Sequence, residues 1–237
     1  MKRLLILFFL FPALLFAQKK ADLGIFLGGA YYQGELNYSL PGLELHKAYG
    51  VIYRYNLHQR ISFRFSMIFT DLSGNDAHTM VSYWNKTPYN YQIIRNQSFT
   101  TPLLDISAQA EFNFKRYEVG NDKYPQSPYL FAGLSFIIAS YATQPYLYGI
   151  PFGVGYKFNI GERIGAGVEW GYRKTFNDGI DKTTGQEQYP KIEKNPYSKN
   201  LLKQRGNFRN TDWYSIFGVF ITYKFRPKNY ECLMLIY

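Results

Sequence analysis

The chain has 237 residues, a formal net charge of +10, 23 Tyr and 20 Phe, and one cysteine, Cys232. A lone cysteine excludes an intrachain disulfide framework, and the length suits one domain. The mean hydropathy of −0.28, with no internal apolar run near the ~20 residues of a spanning helix, excludes a helical membrane protein.

The N terminus reads Met1-Lys2-Arg3, followed by an uncharged apolar stretch over residues 4–17 that ends in Ala17 before Gln18-Lys19-Lys20. A basic start, a short apolar run and a small residue are the marks of a cleaved secretory signal, too short to span a bilayer. Removing Lys2 and Arg3 lowers the net charge to +8. For an exported protein this excess points to lipid phosphates or acidic partner proteins and away from nucleic acid.

Beyond residue 20 the hydrophobic signal has period two. Ile61, Phe63, Phe65, Met67 and Phe69 alternate with Ser62, Arg64, Ser66, Ile68 and Thr70. Leu104, Ile106, Ala108, Ala110, Phe112 and Phe114 alternate with Asp105, Ser107, Gln109, Glu111 and Asn113. Strand side chains point to opposite faces in turn, so each segment has one apolar and one polar side. Such runs predict eight strands, over 21–32, 47–56, 61–71, 103–114, 128–139, 149–158, 163–175 and 213–225. The fifth run is the faintest, because residues 129–138 are apolar on both faces. Each is near the 9–11 residues a tilted strand needs to cross a bilayer. The connections 57–60 and 159–162 are tight and 115–127 is intermediate, whereas 33–46, 72–102, 140–148 and 176–212 are mostly longer. Short periplasmic turns opposite long outer loops predict an all-β, eight-stranded antiparallel transmembrane barrel of the outer membrane, with both termini periplasmic.

A lipocalin-like soluble barrel also alternates, but its apolar face points inward. Here the polar face carries Gly153, Gly155, Gly165, Gly167 and Gly171, which suit a crowded narrow lumen better than a solvated surface. The other face of the seventh strand, Ile164, Ala166, Val168, Trp170 and Tyr172, turns aromatic towards one end, as at a membrane interface. The last strand places Ile221, Tyr223 and Phe225 at two-residue spacing, like the assembly signal of outer-membrane barrels, although twelve residues follow it.

Seven charged residues fall on the predicted inner face: Arg54, Arg64, Asp105, Glu111, Lys157, Glu169 and Arg173. An ion path is one reading; a network of mutually paired charges in a barrel too narrow for a pore is the stronger one. A lipid-modifying hydrolase would need a histidine activating a serine, oriented by a carboxylate. Of the three histidines, His58 lies in a tight turn, His46 has no serine within a few residues, and His78 lies in a loop near Asp76 and Ser82. No His, Cys or carboxylate cluster has metal-ligand spacing, so no catalytic residue, cofactor or metal is expected. The loop over 176–212 carries six Lys or Arg between Lys191 and Arg209 against Glu193. It reads as a solvated loop, or as a contact for lipopolysaccharide phosphates. The tail begins Arg226-Pro227-Lys228 and ends Cys232-Leu233-Met234-Leu235-Ile236-Tyr237, an apolar cluster with no lipid to face and hence a candidate partner contact. The chain thus divides into a signal (1–17), a barrel (18–225) and a periplasmic tail (226–237).

Four stretches carry a family resemblance: Leu23-Gly24-Ile25-Phe26-Leu27-Gly28-Gly29-Ala30-Tyr31-Tyr32-Gln33-Gly34-Glu35-Leu36, Pro128-Tyr129-Leu130-Phe131-Ala132-Gly133, Gly171-Tyr172-Arg173-Lys174-Thr175-Phe176-Asn177-Asp178, and Asp212-Trp213-Tyr214-Ser215-Ile216-Phe217-Gly218. Together they resemble PorG-like barrels of the type IX secretion system. The chain departs from that pattern at Gly179-Ile180-Asp181-Lys182, which is less acidic, and at Cys232-Leu233, where a proline is expected. The resemblance implies an outer-membrane anchor for a periplasmic ring built from the PorK lipoprotein and PorN. A generic OmpX-like barrel for adhesion or envelope integrity fits the same strands.

Overall fold

The computed structural model describes residues 21–33, 44–75, 98–118, 123–140, 142, 145–176, 180 and 212–225. Eight strands follow one another in the chain: β1 (Ala21–Gln33), β2 (His46–His58), β3 (Ile61–Asn75), β4 (Ser98–Asn113), β5 (Gln126–Ala139), β6 (Tyr146–Ile160), β7 (Ile164–Thr175) and β8 (Trp213–Lys224). Each pairs antiparallel with the next, and β1 pairs with β8 from Asp22↔Lys224 to Gln33↔Trp213, which closes the barrel and removes every sheet edge. No helix among the described residues is long and apolar enough to cross a membrane, which says nothing of strands.

All eight strands lie where the alternation predicts them. The largest difference is at β3 and β4, which pair out to Asn75↔Ser98 and so lengthen both strands into the segment expected as loop. Sequence periodicity fades there because Leu72, Ser73 and Gly74 are all buried. β1 begins and β8 ends at the barrel end that carries the turns 59–60 and 161–163; the long connections lie at the opposite end.

The pattern is inside out. Leu23, Ile25, Phe65, Leu134 and Ile221 are exposed on the outer wall, Leu134 at 68%. Ser62, Arg64, Ser66, Ser107, Gln109 and Glu111 point into the lumen and are buried. β5, apolar on both faces, turns Leu130, Leu134 and Ile138 outward and Tyr129, Phe131 and Ile137 inward. Glycines opposite the inward rings make the room for them. A Cβ on Gly155 would meet the Tyr129 ring at 2.5 Å, and one on Gly167 would meet the Phe220 ring at 2.5 Å. Bulky rings and bare backbone alternate around the wall, filling a lumen too narrow for large side chains everywhere.

Candidate functional site

The charges of the lumen gather around Glu111 on β4. Its carboxylate accepts from Arg54 Nε at 2.9 Å and Nη2 at 3.2 Å, and from Lys157 Nζ at 2.6 Å. Arg64 Nε lies 3.4 Å away. Arg64 reaches further, to Glu169 on β7 and to the side-chain oxygen of Gln109, and Tyr129 donates to Glu169 at 2.8 Å. Nearer the loop end a second group forms: Arg173 Nε and the Tyr214 hydroxyl both donate to Asp105 Oδ2, at 3.0 and 2.9 Å. All seven charged residues singled out in the sequence are buried in the lumen; five meet in the first group and two in the second.

These contacts span strands that are not neighbours. Arg54 on β2 reaches over β3 to Glu111 on β4, and Lys157 on β6 reaches over β5 to the same carboxylate. Only a narrow closed barrel brings them together. Such groups are tolerable in a low-dielectric interior only as an ensemble, since each ion loses its water and regains the loss only from its partners. The inward rings add to that: the guanidinium of Arg54 lies 4.9 Å from the Phe220 centroid, that of Arg64 4.7 Å from Phe131, and Lys157 Nζ 4.3 Å from Tyr129. These aromatics were legible as inward only through the period of β5 and β8, and their role as cation partners was not legible.

Both ends of this lumen are occupied by side chains. At the turn end Tyr117 is 4% exposed, its amide donates to the Gln59 carbonyl at 3.0 Å, and Lys157 lies 5.5 Å from its ring. Burial pushes its hydroxyl above the ordinary tyrosine range. Asp22 accepts from Asn56 at 2.7 Å near the same end. At the loop end Ile180, from the basic loop, is buried in the core cluster. Its amide donates to Asp212 Oδ2 at 3.0 Å, its carbonyl accepts from Thr101 at 3.3 Å, and Tyr32 donates to Asp212 Oδ1 at 2.6 Å. Nothing in the composition of that loop singles out Ile180; its burial is a tertiary fact.

One Ser–His contact escaped the sequence, because its members are 27 residues apart: His46 Nε2 lies 2.6 Å from Ser73 Oγ. Ser73 also donates to the Glu44 carboxylate. With its single proton given to Glu44, the serine can only accept from His46, the reverse of what an activated nucleophile requires. The arrangement ties the start of β2 to the end of β3. His58, expected in the tight turn, is the last residue of β2 and pairs with Ile61; its Nδ1 accepts from the Arg60 amide at 3.4 Å. His78, the basic stretch 191–209, and the tail with Cys232, Leu233, Met234, Leu235, Ile236 and Tyr237 lie outside the described residues. Among the described residues no group of three or more His, Cys, Asp or Glu is placed to hold a metal ion.

The model of a family described as a domain of unknown function, DUF6089, matches residues 1–234. No curated protein matches the chain. Among solved structures it is similar to the N-terminal β-barrel domain of Pseudomonas aeruginosa OprF, with 13% identity over 86% of this chain and 98% of that one and a TM-score of 0.41. It is similar also to Neisserial surface protein A, with 12% identity, 86% and 97% coverage and a TM-score of 0.49. A third is Ail, the attachment invasion locus protein of Yersinia pestis, with 10% identity, the same coverages and a TM-score of 0.44.

Proposed function

This chain belongs to the DUF6089 family, and we propose that it is a non-enzymatic outer-membrane barrel that anchors a periplasmic assembly of the type IX secretion machinery. The observation that carries an anchor, as opposed to a pore, is the lumen. Its centre is crossed by the Arg54–Glu111–Lys157 and Arg64–Glu169 pairs, and Tyr117 and Ile180 are buried towards its two ends. A barrel so filled offers solutes no passage. Its apolar outer wall, with Phe63, Phe112, Phe114 and Tyr223 towards one end and Tyr49, Tyr146 and Tyr148 towards the other, suits lipid between two aromatic girdles. What remains for partners is what protrudes. The turn end with the tail 226–237 serves the periplasmic ring, for which the PorG-like stretches point to the PorK lipoprotein and PorN. The basic loop at the other end serves lipopolysaccharide phosphates.

Deletion of the gene, followed by assay of surface-protein export, tests this reading. Loss of export, restored by the full chain, is the expected result. Normal export with a leaky or less adhesive envelope would replace it with the generic OmpX-like role.

A further inference from the structure

The outer wall is uniform in polarity but not in relief. Val219, Val168 and Val154 lie on neighbouring strands, each about half exposed, beside the bare backbone of Gly218 and Gly155. Taller rings stand on either side: Phe217 and Trp170 towards the loop end, Tyr156 and Phe114 towards the turn end. Short side chains between tall ones leave an open trough of 1120 Å³ across the faces of β1, β8, β7, β6 and β5; on β8 and β7 no ring closes it towards the turn end before Tyr223, the outward positions there being Ile221 and Ala166. The Trp170 wall is fixed, its indole N–H donating to Ser215 Oγ at 2.8 Å and its ring packing 5.6 Å from Tyr172.

Below the groove the outward column of β8 continues through Ile221 to Tyr223, both exposed. There Arg163, in the turn before β7, donates to the Tyr223 hydroxyl at 3.1 Å. A guanidinium has five donors in a planar fork suited to phosphate, and Tyr223 takes one of Arg163's. From Arg163 to Trp170 is seven residues. At ~3.3 Å per residue that is roughly 23 Å of strand, or roughly 17 Å of depth at the ~35–45° tilt of such barrels. Half of a hydrocarbon core is ~15 Å. A cation at the interface and an apolar trough ending one leaflet higher match the two parts of one lipid.

We propose that this face is a binding site for a single glycerophospholipid of the leaflet at the turn end, with its phosphate on Arg163 and Tyr223 and an acyl chain along Ile221, Val219 and Val168, stopped by Trp170. The proposal rests on the membrane reading given above.

Native mass spectrometry of the full chain, folded into vesicles and extracted in mild detergent with added palmitoyl-oleoyl phosphatidylglycerol, tests it. Val168→Trp fills the trough, Arg163→Ala removes the cation, and Leu134→Trp adds the same bulk elsewhere on the lipid face. Expected is one retained phosphatidylglycerol per barrel, unchanged in Leu134→Trp and at least tenfold less occupied in each of the other two. Equal retention in Val168→Trp and Leu134→Trp overturns the site, as does retention indifferent to Arg163→Ala. A dimer that Val168→Trp dissolves would also overturn it and give the groove to a second copy. Folding into vesicles is scored first by heat-modifiable migration. A wild-type chain that does not insert refutes the membrane reading, whereas an inserted barrel without the lipid refutes only this site.

Discussion

Replacing Glu111 by Gln keeps the shape of the side chain and removes the charge that three cations share. Arg54 and Lys157 lose charge-assisted contacts of 2.9 and 2.6 Å, and Arg64 loses a carboxylate 3.4 Å away. All are buried, so water cannot take over. Breaking a buried ion pair from one side costs about 3–5 kcal/mol, mostly the penalty of an uncompensated charge, and here the upper end of that range is expected. Glu169→Gln is the internal comparison. Arg64 then keeps Glu111 and Gln109, and about 1–3 kcal/mol is expected, as for one charged hydrogen bond. Urea unfolding of the barrel in lipid vesicles, followed by heat-modifiable migration and tryptophan fluorescence, measures both. Adding Lys157→Met to Glu111→Gln removes one stranded cation and recovers part of the loss. If Glu111→Gln is no more destabilising than Glu169→Gln, or the second substitution brings no recovery, the shared-carboxylate account is wrong.

Planar-bilayer recordings of the purified barrel are expected to show no stable large conductance, because buried ion pairs cross the lumen; a steady open level contradicts that. Gly155→Ala drives a methyl into the Tyr129 ring and is expected to destabilise by about 1–3 kcal/mol, as overpacking does; the same substitution made in a Tyr129→Leu chain is expected to cost less, and urea midpoints of the single and double variants check both. In a Cys232→Ser background, a cysteine at Gly185 is expected to react with an impermeant maleimide on intact cells and one at Gln59 is not; the opposite pattern inverts the orientation. Truncation after Phe225 is expected to leave insertion intact and to abolish co-purification of periplasmic partners, and a truncated barrel that still holds them and supports export refutes the tail contact.

Strand number, strand position and the facing of nearly every side chain were readable from the sequence, because the period of two is a local property that each segment carries by itself. The faint fifth strand and the buried end of β3 mark the limits of that signal. Tyr129 and Phe131 broke the polar rhythm of the inner face because they serve Lys157 and Arg64, and Leu72-Ser73-Gly74 lost it because both faces are covered. That Arg54, Arg64, Lys157 and Glu111 face inward was likewise local. That they converge on one carboxylate depends on the register of β2 through β6 and on closure of β1 against β8, a sum of pairings no single segment contains. Ile180 filling the loop end, Ser73 reaching His46, and the valine trough beneath Trp170 belong to the same class, made by residues distant in sequence and neighbours only once the barrel has closed.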